Sequence, residues 1–243
     1  MSSLGYSQLF KGTTNSSSPL TRIAFTRKQV TSGEPSNPTS ITSNAIDTTG
    51  ANLVVIVVMD STIATPPTAT ISDNKGNSAL IATAVIRNSN SVRTSIYYLP
   101  SSGVFGTNHT FTYSTGATTC FPNIYVYAYS GATSSPLLTF NSNAVGGAIS
   151  SISTNSITPS VSGALIVTGF TCVPGSGLGS QPTISGGGFA NINQDGWFAV
   201  VLQRSTYSAC YSIIQSAAGV SNPTHSFTSS SAAGAAACIA AFK

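Results

Sequence analysis

Charge is scarce in this chain of 243 residues: acidic and basic side chains make up 6% of it, where a soluble domain usually carries about 25%. Serine, threonine, asparagine and glycine must supply most of the polar surface. Such a surface is hydrated yet only weakly repulsive between copies. It suits a chain that packs beside many copies of itself, and equally an extracellular adhesin. The five acids, Glu34, Asp47, Asp60, Asp73 and Asp195, are dispersed. Glycoside hydrolysis needs two carboxylates about 5–9.5 Å apart, and no local motif brings two together. The two histidines, His109 and His225, come with no GxSxG elbow, so no Ser/His/Asp triad and no enzyme is expected. The net charge is +4, and Lys11, Arg22, Arg27 and Lys28 precede the first acid. That is sparser than a nucleic-acid reader shows, so nucleic acid is not an expected partner.

Long apolar runs are missing too. The longest, Leu53 to Met59, is seven residues, far short of the roughly 20 a membrane-spanning helix needs. Met1 to Tyr6 lacks a basic stretch followed by an apolar one, so no signal peptide is expected. The sequons at Asn15 and Asn108 are read as chance in a chain this rich in Asn, Ser and Thr. Cys120, Cys172, Cys210 and Cys238 form no CxxC pair, which argues against zinc. They are expected as reduced core thiols, consistent with folding in a cytoplasm. No metal and no cofactor is expected. Helix signals are nearly absent: no window combines apolar residues at i, i+3, i+4 and i+7 with caps.

What is present is a repeat. Gly50-Ala51-Asn52-Leu53-Val54-Val55 returns as Gly163-Ala164-Leu165-Ile166-Val167, and Pro67-Thr68-Ala69-Thr70-Ile71-Ser72 as Pro182-Thr183-Ile184-Ser185. Phe111-Thr112-Tyr113-Ser114 returns as Phe227-Thr228-Ser229-Ser230, at offsets of 113, 113 and 116. Short β-branched and aromatic runs between Gly, Pro, Asn and Ser clusters predict strands in both halves. The first half reads as strands over 21–30, 53–59, 69–72, 80–87, 92–99, 110–114 and 123–129. The second reads as strands over 164–170, 183–185, 197–203, 207–214, 224–228 and 235–242. Residues 133–158 are Ser/Asn/Gly-rich and join the halves as a linker or a long crossover.

Asp73-Asn74-Lys75-Gly76-Asn77 is rich in oxygens, but Lys75 stands where a calcium ligand would, and a hairpin turn explains the segment. Its counterpart Ser185-Gly186-Gly187-Gly188 keeps the turn and loses the oxygens. Both histidines precede the Phe-Thr block of their half, which predicts related positions at strand starts. Trp197 is read as a core residue. Residues 123–129 alternate, with Ile124, Val126 and Ala128 on one face and Tyr125, Tyr127 and Tyr129 on the other. These tyrosines are the candidate interface or ligand face: they suit burial in the fold or at a subunit contact, or stacking against a sugar.

The blocks Gly50–Val55, Ser72–Asn77 and Tyr127-Ala128-Tyr129-Ser130-Gly131-Ala132, with the ending Ile239-Ala240-Ala241-Phe242-Lys243, resemble a loose group of β-sandwich proteins widespread in bacteriophage and bacterial sequences. The resemblance covers roughly residues 21–243 and carries over no catalytic residue. It implies an accessory virion component, of head-decoration, collar or fibre type, or a surface module. The expected fold is all-β: a jelly-roll-like two-sheet β-sandwich built from two pseudo-symmetric halves, about 45–132 and 157–243. Two tandem sandwiches are the alternative. Residues 1–20 are expected to form an extended arm reaching a neighbour. The expected function is non-enzymatic and structural, in a virion assembled in the host cytoplasm, with homo-oligomer and virion partners. The alternatives are a carbohydrate-binding module for host attachment and a small jelly-roll capsid protein, though the arm is less basic than the latter needs.

Overall fold

The computed structural model of the chain describes residues 18–29, 39–61, 69–78, 80–81, 86–87, 92–115, 122–174, 182–189, 196–200, 206–227 and 232–243. Most of the expected arm, Glu34, Cys120, Asp195 and the Asn15 sequon lie outside the described residues. So does the Trp197 side chain.

The chain is all-β and, among the described residues, has no helix. The first half contributes β1 (Thr21–Gln29), β2 (Ser40–Thr42), β3 (Leu53–Ser61), β4 (Thr70–Asp73), β5 (Leu80–Ile81), β6 (Ile86–Arg87), β7 (Val92–Leu99), β8 (Phe111–Ser114) and β9 (Asn123–Ser130). The second contributes β10 (Leu137–Ile149), β11 (Ser151–Ser153), β12 (Ala164–Pro174), β13 (Thr183–Ser185), β14 (Gly196–Val200), β15 (Thr206–Gln215), β16 (Thr224–Ser226) and β17 (Ala232–Phe242). All pairings are antiparallel.

The repeat in sequence is a repeat in topology. The first half forms a large sheet in the order β1-β9-β3-β7-β5, with β6 also on β7, and a small sheet β2-β8-β4. The second half forms β10-β17-β12-β15-β14 and β11-β16-β13. Strand for strand these are the same orders, and in each half β1 to β4, or β10 to β13, alternate between large and small sheet. The repeat extends to local detail. Gly50 and Gly163 lead into β3 and β12 with φ of +80° and +69°. Thr42 and Thr112 share a hydroxyl hydrogen bond of 2.9 Å on one small sheet, and Ser153 and Thr224 one of 2.8 Å on the other.

This differs from the expected pair of sheets. Among the described residues no sheet joins strands of both halves; there are four sheets. The reason lies in β3 and β12, whose residues are apolar on both faces. Val54, Ile56 and Val58 face the small sheet of their half, with Ile41, Tyr113 and Phe111. Leu53, Val55, Val57 and Met59 face the other way and meet Leu165, Val167, Cys238 and Phe242 of the second half. Ile166, Phe170 and Cys172 face the second small sheet, with Ile152, Phe189 and Phe227. The sheets therefore stack small, large, large, small, and three apolar layers hold them. Each fully buried aliphatic or aromatic side chain contributes roughly 1.5–3 kcal/mol relative to exposure.

The central seam between the large sheets is tight. An ideal Cβ on Gly169 of β12 would stand 2.5 Å from Met59 Cε and 2.8 Å from Val57 Cγ1. The Thr94 hydroxyl donates across the seam to the Ala236 carbonyl (2.9 Å). Asn123 Nδ2 donates to Ser208 Oγ (3.0 Å). The alanines of β17, the middle strand between β10 and β12, leave room for this approach.

The sequence reading missed β10 and β11, both inside the Ser/Asn/Gly-rich join. β10 is 13 residues long and lies on the edge of its sheet, half-exposed. It needs no apolar alternation because it covers little core. Edge strands invite pairing with other chains, and on each of the corresponding edges β1 and β10 an asparagine takes up one backbone carbonyl. Asn44 Nδ2 donates to the Arg27 carbonyl of β1 (3.3 Å), and Asn155 Nδ2 to the Ser142 carbonyl of β10 (2.7 Å).

Candidate functional site

The three tyrosines of β9 do not form an open face. Tyr125 and Tyr127 have no exposed surface and Tyr129 has 3%. The alternation read from the sequence is real, but the face opposite Ile124, Val126 and Ala128 is the seam against the second half. Tyr127 packs on Phe25 at 4.9 Å between ring centroids. Burial pushes the Tyr125 phenol well above its ordinary value. Of the roles expected for these tyrosines, burial in the fold is the one they fill, enclosed by the chain itself.

Two polar clusters occur in the first half, and the sequence reading assembled neither. In the first, Asp60, at the end of the apolar run on β3, pairs across the ladder with Arg93 of β7. Arg93 donates from Nε (2.9 Å) and Nη2 (2.6 Å) to Asp60 Oδ2. The Tyr113 hydroxyl of β8 donates to the same oxygen. Burial, then the Asp60 charge, raises the Tyr113 phenol well above its ordinary value, so it stays a donor. All three residues are buried. Asp60 Oδ1 and the Tyr97 hydroxyl take no hydrogen bond and are sealed from solvent as well. Asp60 and Arg93 lie 33 residues apart, and Asp60 and Tyr113 lie 53 apart. The one signal in sequence is a lone acid ending an apolar strand in a charge-poor chain.

The second cluster is a relay of Thr48, His109 and Asp73. His109 Nε2 lies 2.7 Å from Asp73 Oδ2, and His109 Nδ1 lies 2.9 Å from Thr48 Oγ1. Nε2–H donates to the carboxylate, while the single Thr48 hydroxyl proton is shared between His109 Nδ1 and the Gly106 carbonyl (3.0 Å). The order is that of a hydroxyl–imidazole–carboxylate triad. Thr48 and His109, however, have no exposed surface, and Thr48 Oγ1 already accepts from Gly106 N–H (2.9 Å). The crevice beside it, lined by Ile71, Ser72, Asp73, Asn77, Leu99 and Phe111, has no room for a water molecule. The relay is a latch: it ties the turn after β4 to the loop before β8.

The Asp73 turn closes as a turn. Asp73 Oδ1 accepts from Lys75 N (3.0 Å) and Asn77 N (2.8 Å), and Oδ2 also accepts from Asn77 Nδ2 (2.7 Å). Burial would raise this carboxyl, but the bonds from His109, Asn77 and Lys75 outweigh it and hold it below its ordinary value. With those donors in place, its oxygens point at N–H groups rather than at a cation site. In the second half Gly186, Gly187 and Gly188 turn with φ of +75°, +57° and +87°, a succession that side chains other than glycine rarely adopt.

The expected kinship of the two histidines is overturned. The bridge Ile46↔His109 matches Ile157↔Ser221, so the counterpart of His109 is Ser221. Tyr113 pairs with Ile41 and His225 with Ile152, so His225 stands where Tyr113 stands. The structural offset of this block is 112, which pairs Tyr113 with His225, four residues from the offset of 116 that joins Phe111 to Phe227. Inward-facing Ile152 and Ile184 flank His225 and set that register.

The described cysteines, Cys172, Cys210 and Cys238, are buried, and the Cys238 thiol donates to the Thr94 carbonyl (2.9 Å). No helix among the described residues is long and apolar enough to cross a membrane, which says nothing of crossing by strands. The geometry defines an all-β, sandwich-like chain of two like-folded halves joined by an apolar seam. Comparison with models of protein families, with curated proteins and with solved structures finds no match.

Proposed function

We propose that this chain is a non-enzymatic structural or accessory component of a virion-like particle, of the head-decoration, collar or fibre kind, acting through contacts between subunits. The observation behind the reading is the closure of its polar chemistry. Thr48, His109, Asp60, Arg93 and Tyr113 are all buried, and their contacts serve to hold turns and sheets in place. The charge-poor surface adds support, since it repels other copies weakly. Each half is further read as jelly-roll-like, because its first four strands alternate between its large and small sheet, as Greek-key sandwiches do. Jelly rolls serve viral capsids and lectins alike, so this support is analogy. The glycan-binding alternative loses its tyrosines, which lie in the seam.

The test is the mass of the purified protein in solution, with and without residues 1–20. The reading expects an oligomer that falls to smaller species on truncation. A monomer unchanged by truncation that binds no particle protein overturns it.

A further inference from the structure

We propose that His225 makes the second half an acid-opened unit: protonation of its ring at Nδ1 drives the β11–β16–β13 sheet off the large sheet beneath it and uncovers the apolar face between them. His225 sits in the middle of β16, between Ile152 of β11 and Ile184 of β13, and has no exposed surface. Its ring stacks on Phe170 at 4.8 Å and lies 5.6 Å from Tyr211. Phe170 in turn stacks on Phe227 at 5.7 Å. The ring has one polar contact, Nε2 to Thr168 Oγ1 at 3.0 Å. Thr168 donates its proton to the Cys238 carbonyl at 2.9 Å. Nε2 must therefore carry the hydrogen and donate it to Thr168. That leaves Nδ1 as the bare nitrogen, and it has no hydrogen-bond partner.

A proton arriving at Nδ1 would create a cation that no group among the described residues balances. The packed elements offer Phe170 and Cys172 from β12, Tyr211 from β15, Ile152 from β11, Ile184 from β13, and Ala237 and Ile239 from β17. Of these, Cys172 and Tyr211 are titratable. Burial raises the Tyr211 phenol, and the nearby Cys210 raises it further, so it stays neutral. Among the described residues from 137 to 243, Lys243 carries the one charged side chain, and it is a cation. The contrast with the first half is direct: there the equivalent position, Tyr113, donates to the carboxylate of Asp60.

Burial pulls the His225 pKa from 6.5 down to about 3. The folded value lies below the unfolded one, so the opened form takes the proton first. The half is therefore fully stable above about 6.5 and weakens as pH falls toward about 3. The opening equilibrium shifts by up to about tenfold per pH unit within that window. Asp73 and Asp47, first-half carboxylates that their hydrogen bonds hold below the ordinary value, take up protons only at lower pH than the onset of this effect.

Hydrogen exchange of the full chain, corrected for intrinsic rates, tests this at pH 7 and pH 4.5. Protection over 151–157 and 221–227 is expected to fall by up to about a hundredfold, while that over 53–61 and 123–130 holds. In His225→Gln, whose amide still donates to Thr168 but does not protonate, the fall is expected to vanish. No fall in the native chain, or an equal fall in His225→Gln, overturns the proposal. Should His225→Gln not fold, the ring proton signals of the native protein decide. A His225 ring that stays neutral until protection is lost upholds it; a ring that titrates near 6.5 while the half stays protected overturns it.

Discussion

Asp60 and Arg93 put a full ion pair inside a chain that has little charge elsewhere. Taking two charges out of water costs several kcal/mol per ion, and the hydrogen bonds of the pair offset that cost rather than exceed it. Removing one partner is another matter. Arg93→Met would leave the Asp60 carboxylate with the Tyr113 hydroxyl alone, and about 3–5 kcal/mol of stability is expected to go. A urea midpoint checks this, and a loss under about 1 kcal/mol would mean that water reaches the carboxylate. The pair joins β3 to β7 within one sheet, and Tyr113 ties that sheet to β8 of the small one. One carboxylate thus holds two layers in register. The second half solves the same position with an uncharged imidazole on Thr168, which is stable at neutral pH and sensitive to acid.

At the scale of elements, the edge strands show how the chain handles its free backbone. β10 carries no charge and no proline over its 13 residues, the features that usually keep an edge from pairing. Asn155 supplies the missing guard, at φ +67° and with its amide on the Ser142 carbonyl. Asn155→Gly keeps that φ accessible and removes the amide. Its expected effect is stronger self-association than the native chain at equal concentration, with a stability loss of about 0.5–1.5 kcal/mol. Sedimentation against concentration is the measurement, and an unchanged mass distribution would reduce the asparagine to a local loop contact. Much at this scale was legible. The strands over 92–99 and 183–185 fall where the pattern put them, because β-branched and aromatic runs between turn residues specify them locally. β10 was not legible, because this edge strand is only half-buried and its few core contacts, Leu137, Leu138, Val145 and Ile149, do not alternate along a Ser/Asn/Gly-rich segment.

For the molecule as a whole, the seam between the large sheets decides whether two halves make one unit. Gly169 is the slot into which Met59 and Val57 fit. Gly169→Val should overpack that slot at a cost of about 1–3 kcal/mol. Met59→Ala in the same chain should return part of the loss, since the added and removed volumes meet at one place. A double-mutant cycle by denaturant unfolding reads the coupling, and strict additivity would show that the seam relaxes elsewhere. The sequence by itself determined the all-β class, most strand positions, the alternation of β9 and the existence of two related halves. Those are local or repeated patterns, and period-two alternation needs no knowledge of what lies across it. Only the tertiary structure decided that the halves keep separate sheets and stack through their large ones, that the tyrosines face an internal seam, and that His225 answers to Tyr113. Alternation says that a face is apolar but not which sheet covers it; that depends on the volumes brought together across the seam, where Gly169 and the alanines of β17 leave the space that the first half fills.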